Sequence, residues 1–149
     1  MSSKSLTPSK QRLRLWLRLL KASRHIEGAL RERVRSEFGT TLPRFDVLAA
    51  LHKSDEGLTM GQLSQALMVS NGNVPGLVDR LADEGAVERQ SVAGDRRSAR
   101  VALTELGRAD FERMAAVHEE WVTDLLSVLD DSEVAQASSL LARIKGDAT

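Results

Sequence analysis

The strongest constraint on the fold of this 149-residue chain is a pair of short amphipathic segments, separated by a turn and followed at once by a strand pattern. Thr59 and Gln62 fit a capping box, in which the hydroxyl accepts from the N3 amide while the N3 side chain reaches back. We predict a turn at residues 68–70, and we expect Ser70 to cap a second helix that ends at Gly85. Two helices joined by so short a turn form a helix-turn-helix.

A β-hairpin is predicted directly after this second helix. The residue pattern indicates antiparallel strands at 87–92 and 98–103, with a turn at 93–97 between them. Alternation along the second strand places Arg100 on the outer face, where it is available for a phosphate or for solvent. A hairpin in this position is a wing, so the central segment is expected to form a winged helix-turn-helix.

Long amphipathic helices are predicted at both ends of the chain. Apolar residues recur at helical spacing between residues 11 and 37 and again between 104 and 128, and an acidic break at 130–132 precedes a last helix. A shorter helix is expected to begin at Pro43. The end helices have more apolar surface than one compact lobe covers. Pairing with a second copy would bury that surface, which predicts a two-fold homodimer.

Several classes of function are disfavoured by composition and spacing. The chain has no cysteine, which excludes disulfides, thiolate zinc sites and cysteine nucleophiles. His25, His52 and His118 are too far apart in sequence to suggest a metal site, and no glycine-rich phosphate loop or nucleophile elbow is present. No apolar run approaches the roughly 18 residues of a membrane span, and the start does not resemble a signal peptide. We therefore expect a cytoplasmic protein that is not an enzyme, with no cofactor, metal or membrane partner.

The charge of the chain is balanced overall but divided between its ends. Basic and acidic residues both number 21, yet residues 1–37 carry 10 basic and 3 acidic groups, and residues 104–149 carry 4 and 10. The basic run is compatible with DNA phosphates, an anionic ligand, a membrane surface or the acidic segment of a partner subunit. Of these we favour the partner subunit. The run comprises Lys10, Arg12, Arg14, Arg18, Lys21 and Arg24.

Four short segments together resemble the MarR (multiple antibiotic resistance regulator) family. They are Gly-Leu-Val-Asp-Arg-Leu at 76–81, Gly85, Asp-Arg-Arg-Ser at 95–98 and Leu-Thr-Glu-Leu-Gly at 103–107. The resemblance extends over about residues 11–145. It implies a dimeric winged-helix transcription regulator, usually a repressor, which binds pseudo-palindromic double-stranded DNA. It also implies a small, frequently aromatic, effector that releases the DNA.

The fold class expected is therefore mainly α: a winged helix-turn-helix with long N- and C-terminal dimerisation helices. We expect a single domain over residues 1–149. Within it, residues 1–37 and 104–149 would form the helical dimerisation region, and residues 43–103 the DNA-binding region.

Candidate DNA contacts lie near the start of the second helix of the helix-turn-helix. Asn73 is suited to a bidentate contact with adenine, and Arg80 to a phosphate or a guanine. Ser70 and Asn71 lie where the amides at a helix N-terminus favour a phosphate. The alternative is ordinary helix capping by Ser70, Asn71 and Asn73.

The turn of the wing carries a second set of candidates. Arg96 and Arg97 place two guanidinium groups where a narrow minor groove would attract an inserted arginine, and Asp95 could tether one and orient the other. Which arginine inserts stays open. The alternative is a solvated charged turn.

A ligand pocket is predicted where the long helices meet the DNA-binding region, because this is where the family holds its effectors. The alternative is that these few large side chains are simply core. The candidates are Trp16, Phe45, Phe111, Met114 and His118.

The function predicted is a DNA-binding repressor released by a small ligand, with an aromatic acid or a CoA thioester as the expected ligand class. One alternative is a winged-helix protein-interaction module whose basic wing binds an acidic protein. The other is a regulator that needs no ligand, with a fully packed helix junction.

Overall fold

A computed structural model describes residues 5–67, 73–92 and 95–146, with the backbone alone at residues 92 and 95–98. The chain forms six α-helices and three strands over these residues. In chain order the elements are α1 Pro8–Arg33, α2 Leu42–His52, β1 Leu58–Thr59, α3 Met60–Leu67, α4 Val74–Asp83, β2 Val87–Val92, β3 Asp95–Leu103, α5 Glu105–Leu125 and α6 Asp131–Lys145. This order confirms the predicted fold class.

The first long helix is confirmed, with a π-helical end. Thr7 caps α1 by accepting a hydrogen bond from the Lys10 amide (3.3 Å). After α1 the chain continues as a π-helical segment, Val34–Phe38, and Gly39 then ends it with φ of 64°. Glycine suits this position because the left-handed conformation is costly for residues with a Cβ.

The helix-turn-helix forms largely as predicted. Thr59 accepts from the Gln62 amide (3.2 Å), and the Gln62 side chain accepts from the Thr59 amide (2.9 Å), which confirms the capping box. The expectation for Ser70 as a cap is wrong, because α4 begins at Val74 and Asn73 occupies its N-cap position. Ser70 itself lies outside the described residues, as does the predicted turn.

The wing is an antiparallel hairpin that is longer than predicted. The sheet has the order β1-β3-β2, and Val92 pairs with Asp95. The predicted turn is therefore wrong at residues 95–97, which belong to β3 although they have the composition of a turn. The register between β2 and β3 shifts between Gln90 and Val92. Strand β1 was not predicted, because its two residues are too few to show an alternating pattern.

The end of the wing is joined closely to the start of α5. Thr104 caps α5 by accepting from the Gly107 amide (3.0 Å), and its hydroxyl lies 2.6 Å from the Gly85 carbonyl oxygen, to which it donates. Gly107 packs against the backbone of Ala86 so closely that a Cβ would overlap its carbonyl oxygen. One threonine and one glycine thus fix the wing, the end of α4 and α5 relative to one another.

The last helix, α6, follows the expected acidic break, and it starts with a capping box between Asp130 and Glu133 that was not predicted. Among the residues that the structure describes, no helix combines the length and apolar character needed to cross a membrane.

Candidate nucleic-acid interface

Helix α4 is anchored along one face and open along the other. Val74, Val78 and Leu81 are at most 2% exposed and pack into the core. Asn73 and Arg80 lie on the exposed side, as the sequence analysis predicted. A helix held in this way presents its outer face to a large partner without losing its own packing.

Asn73 lies at the N-terminal end of α4, but its side chain does not cap the helix. It occupies the N-cap position of α4, yet its side chain makes no capping hydrogen bond. Within the described part of the chain, no other hydrogen bond to its amide group is formed. The capping alternative for Asn73 is therefore wrong, and its amide is free to bind a base edge. Asn71 lies outside the described residues.

The acidic group on the outer face of α4 is neutralised from the wing. Asp79 forms an ion pair with Arg89 of β2, and both side chains are more than half exposed. Arg80 has no ion-pair partner among residues 5–67, 73–92 and 95–146, so its charge is available for DNA. The pair of Asp79 and Arg89 was not predicted from the sequence, because only the folded hairpin brings β2 against α4.

The wing places its arginines on a strand. Asp95, Arg96 and Arg97 form the first three residues of β3, directly after the hairpin connection. Arg100, further along this strand, is half-buried, and one guanidinium nitrogen donates to the Gly57 carbonyl oxygen (3.4 Å). Arg100 therefore supports the turn before β1, which leaves Arg96 and Arg97 as the wing's candidates for DNA.

Four of the five predicted pocket residues meet at the junction of α2 and α5. The Phe45 ring lies 5.4 Å from that of Phe111 and 4.7 Å from that of His118, between ring centroids. Met114 is buried in the same core, and burial lowers the pKa of His118. Trp16 lies apart from this cluster and is 55% exposed, because it belongs to the outward face of α1. Within one chain, Trp16 therefore does not join the other four residues.

Two cavities lie beside α2, and one of them reaches α5. The larger, of about 270 Å³, lies between α2, the end of α4 and α5, and Met114 and Arg44 are among its lining residues. The smaller, of about 110 Å³, is bordered by Glu27 of α1 and Asp46 of α2. Desolvation and the nearby charge of Glu27 raise the pKa of Asp46 to about 6. Neither Arg44 nor Asp46 was singled out from the sequence, because charged residues on a short helix carry no signal of the cavity that they border.

In the described ranges, no three side chains of the metal-binding types come close enough to hold an ion.

Comparison with known proteins agrees with the geometry. The model of the MarR family matches residues 38–98. The HTH-type transcriptional regulator PecS of Dickeya dadantii is 32% identical over 129 residues, which cover 85% of this chain and 77% of PecS. A MarR family transcriptional regulator from Silicibacter pomeroyi has a similar crystal structure, with 34% identity, a TM-score of 0.77 and coverage of 94% of this chain and 96% of that one.

A further structural neighbour is described together with a ligand. It comes from a study of how 6-hydroxynicotinic acid regulates DNA binding by BpsR of Bordetella bronchiseptica. BpsR shares 23% identity with this chain, with a TM-score of 0.78 and coverage of 89% of this chain and 98% of BpsR. At that identity the likeness shows a common fold.

Proposed function

The chain belongs to the MarR family of DNA-binding transcriptional regulators, and we propose that it is a homodimeric repressor, released from a pseudo-palindromic operator by a small ligand. Its family and its relatives are transcriptional regulators, not enzymes. The observation that carries the proposal is the outer face of α4. There Asn73 has a free amide, Arg80 a free charge, and Asp79 is neutralised by Arg89.

Recognition of DNA would use the two α4 helices of a dimer in successive major grooves, about 34 Å apart. The amide of Asn73 matches adenine N6 and N7, and Arg80 suits a phosphate or a guanine. Ser70 and Asn71 would contact phosphate just before α4. Arg96 or Arg97 would enter the flanking minor groove with the support of Asp95.

The surfaces of the end helices support the dimer. Leu13, Trp16 and Leu17 of α1 are each 46–57% exposed, and Leu141 and Ile144 of α6 are 47% and 67% exposed. Several large apolar side chains exposed on one helix mark an interaction site. A second copy is the partner that we propose, with the basic residues of α1 facing the acidic α5–α6 segment of the other protomer. Such a regulator would act in the cytoplasm.

Two observations support a response to a ligand. Cavities lie where the winged-helix region, the head of the molecule, meets the end helices. In the neighbour BpsR, 6-hydroxynicotinic acid regulates DNA binding. Of the predicted pocket residues, Met114 lines the larger cavity. Phe45, Phe111 and His118 pack behind it, and Trp16 would join only across the dimer. The ligand must bind the DNA-free arrangement more tightly, because equal affinity for both states shifts nothing.

Selection of bound duplexes from a random DNA pool, followed by sequencing, tests this function. We expect an inverted repeat whose half-site centres are about 10 base pairs apart, as two α4 helices on one face of DNA require. Absence of any enriched sequence at moderate salt would contradict the proposal and favour a protein-binding role for the wing.

A further inference from the structure

Gly76 lies at the centre of the outer face of α4. It follows Val74 by two positions and precedes Val78 by two, and both valines are at most 1% exposed. Because a helix turns about 100° per residue, Gly76 points about 200° away from Val74, to the side opposite the core. It is accordingly exposed. In the first two turns of α4, Gly76 is therefore the position that a major groove would meet most directly.

The fold itself gives no reason for a glycine at this position. Gly85 requires a glycine because its φ is 78°, whereas Gly76 has the ordinary backbone of α4. A Cβ added at Gly107 would overlap the carbonyl oxygen of Ala86, but a Cβ added at Gly76 would meet no atom within 4 Å in the described part of the chain. Neither backbone conformation nor packing within the protein therefore requires the missing side chain.

The glycine also makes α4 less stable. Glycine is less favourable than alanine in a helix, because its backbone loses more conformational freedom on folding. The loss falls on a helix of only 10 residues. Pro75, just before it, is harmless, since the first amides of a helix have no partner within the helix. A glycine that weakens its own helix without serving its packing is explained by a partner that needs the space.

The missing side chain leaves an indentation between two polar residues. Asn73 lies three positions before Gly76 and Arg80 four positions after it, and residues at these spacings are neighbours on a helix surface. Pro75 flanks the indentation on the side of α3, where it borders a cleft together with Met60. The indentation therefore has an apolar floor, formed by a Cα and a proline ring, with a polar side chain at each end.

We propose that Gly76 holds the 5-methyl group of a thymine, next to the adenine that Asn73 would contact. The thymine methyl is the only methyl group that a base pair presents in the major groove. The carbonyl and amino groups of the other bases would lose water against this apolar floor without gaining a partner. The proposal rests on the proposed function, since it names one base that this regulator reads.

The proposal gives Gly76 a role through the space that it leaves. A Cβ at this position would occupy the volume of the thymine methyl, so α4 would have to move outward in the groove. That movement would also lengthen the contacts that Asn73 and Arg80 make with DNA. Affinity and base preference therefore both depend on a residue that has no side chain.

Two changes, each of one methyl group, test the proposal by fluorescence anisotropy on the selected operator. Gly76→Ala adds a methyl group to the protein, and deoxyuridine in place of one thymine removes a methyl group from the DNA. We expect deoxyuridine at the proposed position to weaken binding of the unmodified protein about threefold to fivefold, as the loss of one buried methyl group does. Gly76→Ala should weaken binding of the thymine operator about tenfold or more, because the contact is then overpacked.

The combination of the two changes is decisive. In the deoxyuridine operator, the Cβ of alanine has the space that the thymine methyl has left. Gly76→Ala should therefore bind the deoxyuridine operator about threefold more tightly than the thymine operator, which reverses the preference of the unmodified protein. A general weakening of α4 would not give this reversal. In thermal denaturation, Gly76→Ala should melt about 2–4 °C higher than the unmodified protein.

Gly28→Ala is the matched control. Gly28 is also an exposed glycine within a helix, and a Cβ added there would meet no atom within 4 Å. Gly28→Ala should raise the melting temperature by a similar amount and leave the affinity for both operators unchanged. Deoxyuridine at thymines outside the half-sites should have no effect on either protein.

Three results would overturn the proposal while leaving the proposed function intact. The first is a Gly76→Ala variant that binds the operator as tightly as the unmodified protein. The second is a Gly76→Ala variant that still prefers thymine to deoxyuridine at every position of the half-site. The third is a selected half-site without a fixed thymine. Failure to select any operator would instead overturn the proposed function, and this inference with it.

Discussion

The winged-helix head and the helices at the two ends of the chain bury their apolar residues to very different extents. In the head, Leu51, Leu63 and Val78 are at most 1% exposed, whereas Leu13 of α1 and Ile144 of α6 are 57% and 67% exposed. The head completes its own core within one chain. The end helices leave an apolar surface whose burial requires another molecule. We therefore expect the stability of the head to depend on local packing, and the stability of the end helices to depend on association.

The sharpest test of the head is Gly107→Ala. An added Cβ would overlap the carbonyl oxygen of Ala86, and rigid backbone on both sides leaves little room to relax. We expect a loss of about 2–4 kcal/mol in the free energy of unfolding, measured by urea denaturation. Gly28→Ala is the matched control: no atom lies within 4 Å of its added Cβ, and it should stabilise α1 by about 0.5–1 kcal/mol. Equal stabilities of the two variants would contradict the close packing of wing and α5.

The corresponding test of the end helices is Leu141→Asp on the exposed apolar face of α6. A carboxylate there would lose its water without gaining a partner, so the dimer dissociation constant should rise about 100-fold. Sedimentation equilibrium measures the constant, and circular dichroism should show unchanged helix content. Ser139→Asp, on the opposite face of α6, provides the control. A dimer that tolerates Leu141→Asp would show that this face is not the interface.

The wing extends the comparison from stability to DNA binding. Replacing both Arg96 and Arg97 by alanine should lower operator affinity about 10–100-fold at physiological salt and flatten the dependence of log K on log salt, because fewer counterions are released. Arg100→Gln should leave that slope unchanged, since Arg100 donates within the protein to the Gly57 carbonyl. Salt titrations by fluorescence anisotropy separate the two cases, and an unchanged slope for the double variant would remove the wing from the mechanism.

Asn73→Ala tests the recognition helix. The expected effect is a loss of about 1–3 kcal/mol at one base pair per half-site, read from a repeated operator selection. Thermal stability should not change, because the side chain makes no capping hydrogen bond. A uniform loss across all sequences would show that Asn73 does not contact a base.

Where the fold could be predicted from sequence, the controlling interactions are short-range. The capping box joins Thr59 and Gln62, which are three positions apart, and it forms as expected. The prediction missed β1, which forms by pairing with β3 much later in the chain, and it placed the start of α4 before Val74, where the helix begins.

The residues of the candidate site also divide into those that a local pattern predicts and those that a longer-range contact brings together. The exposed face of α4 follows from helical periodicity, so Asn73 and Arg80 could be found from the sequence alone. The pairs Asp79–Arg89 and Arg44–Glu84 join different elements, 10 and 40 residues apart in the chain, and only the fold reveals them.

The smallest expected effect concerns Asp46, which lies where α1 meets the head. Desolvation, and then Glu27, raise its pKa to about 6, above the ordinary value of 3.8 that the unfolded chain has. The protonated form is therefore favoured in the folded state, and stability is lost as the pH rises from about 4 through 6. Asp46→Asn should stabilise the protein at pH 8 by at most about 1 kcal/mol after solvent screening, and not at all at pH 4. Thermal unfolding at pH 8 and pH 4 measures how far the stabilisation by Asp46→Asn differs between the two pH values. In a Glu27→Gln background this difference should be smaller. If Asp46→Asn stabilised the protein equally at pH 8 and pH 4, the carboxylate of Asp46 would not be disfavoured at this contact between α1 and the head.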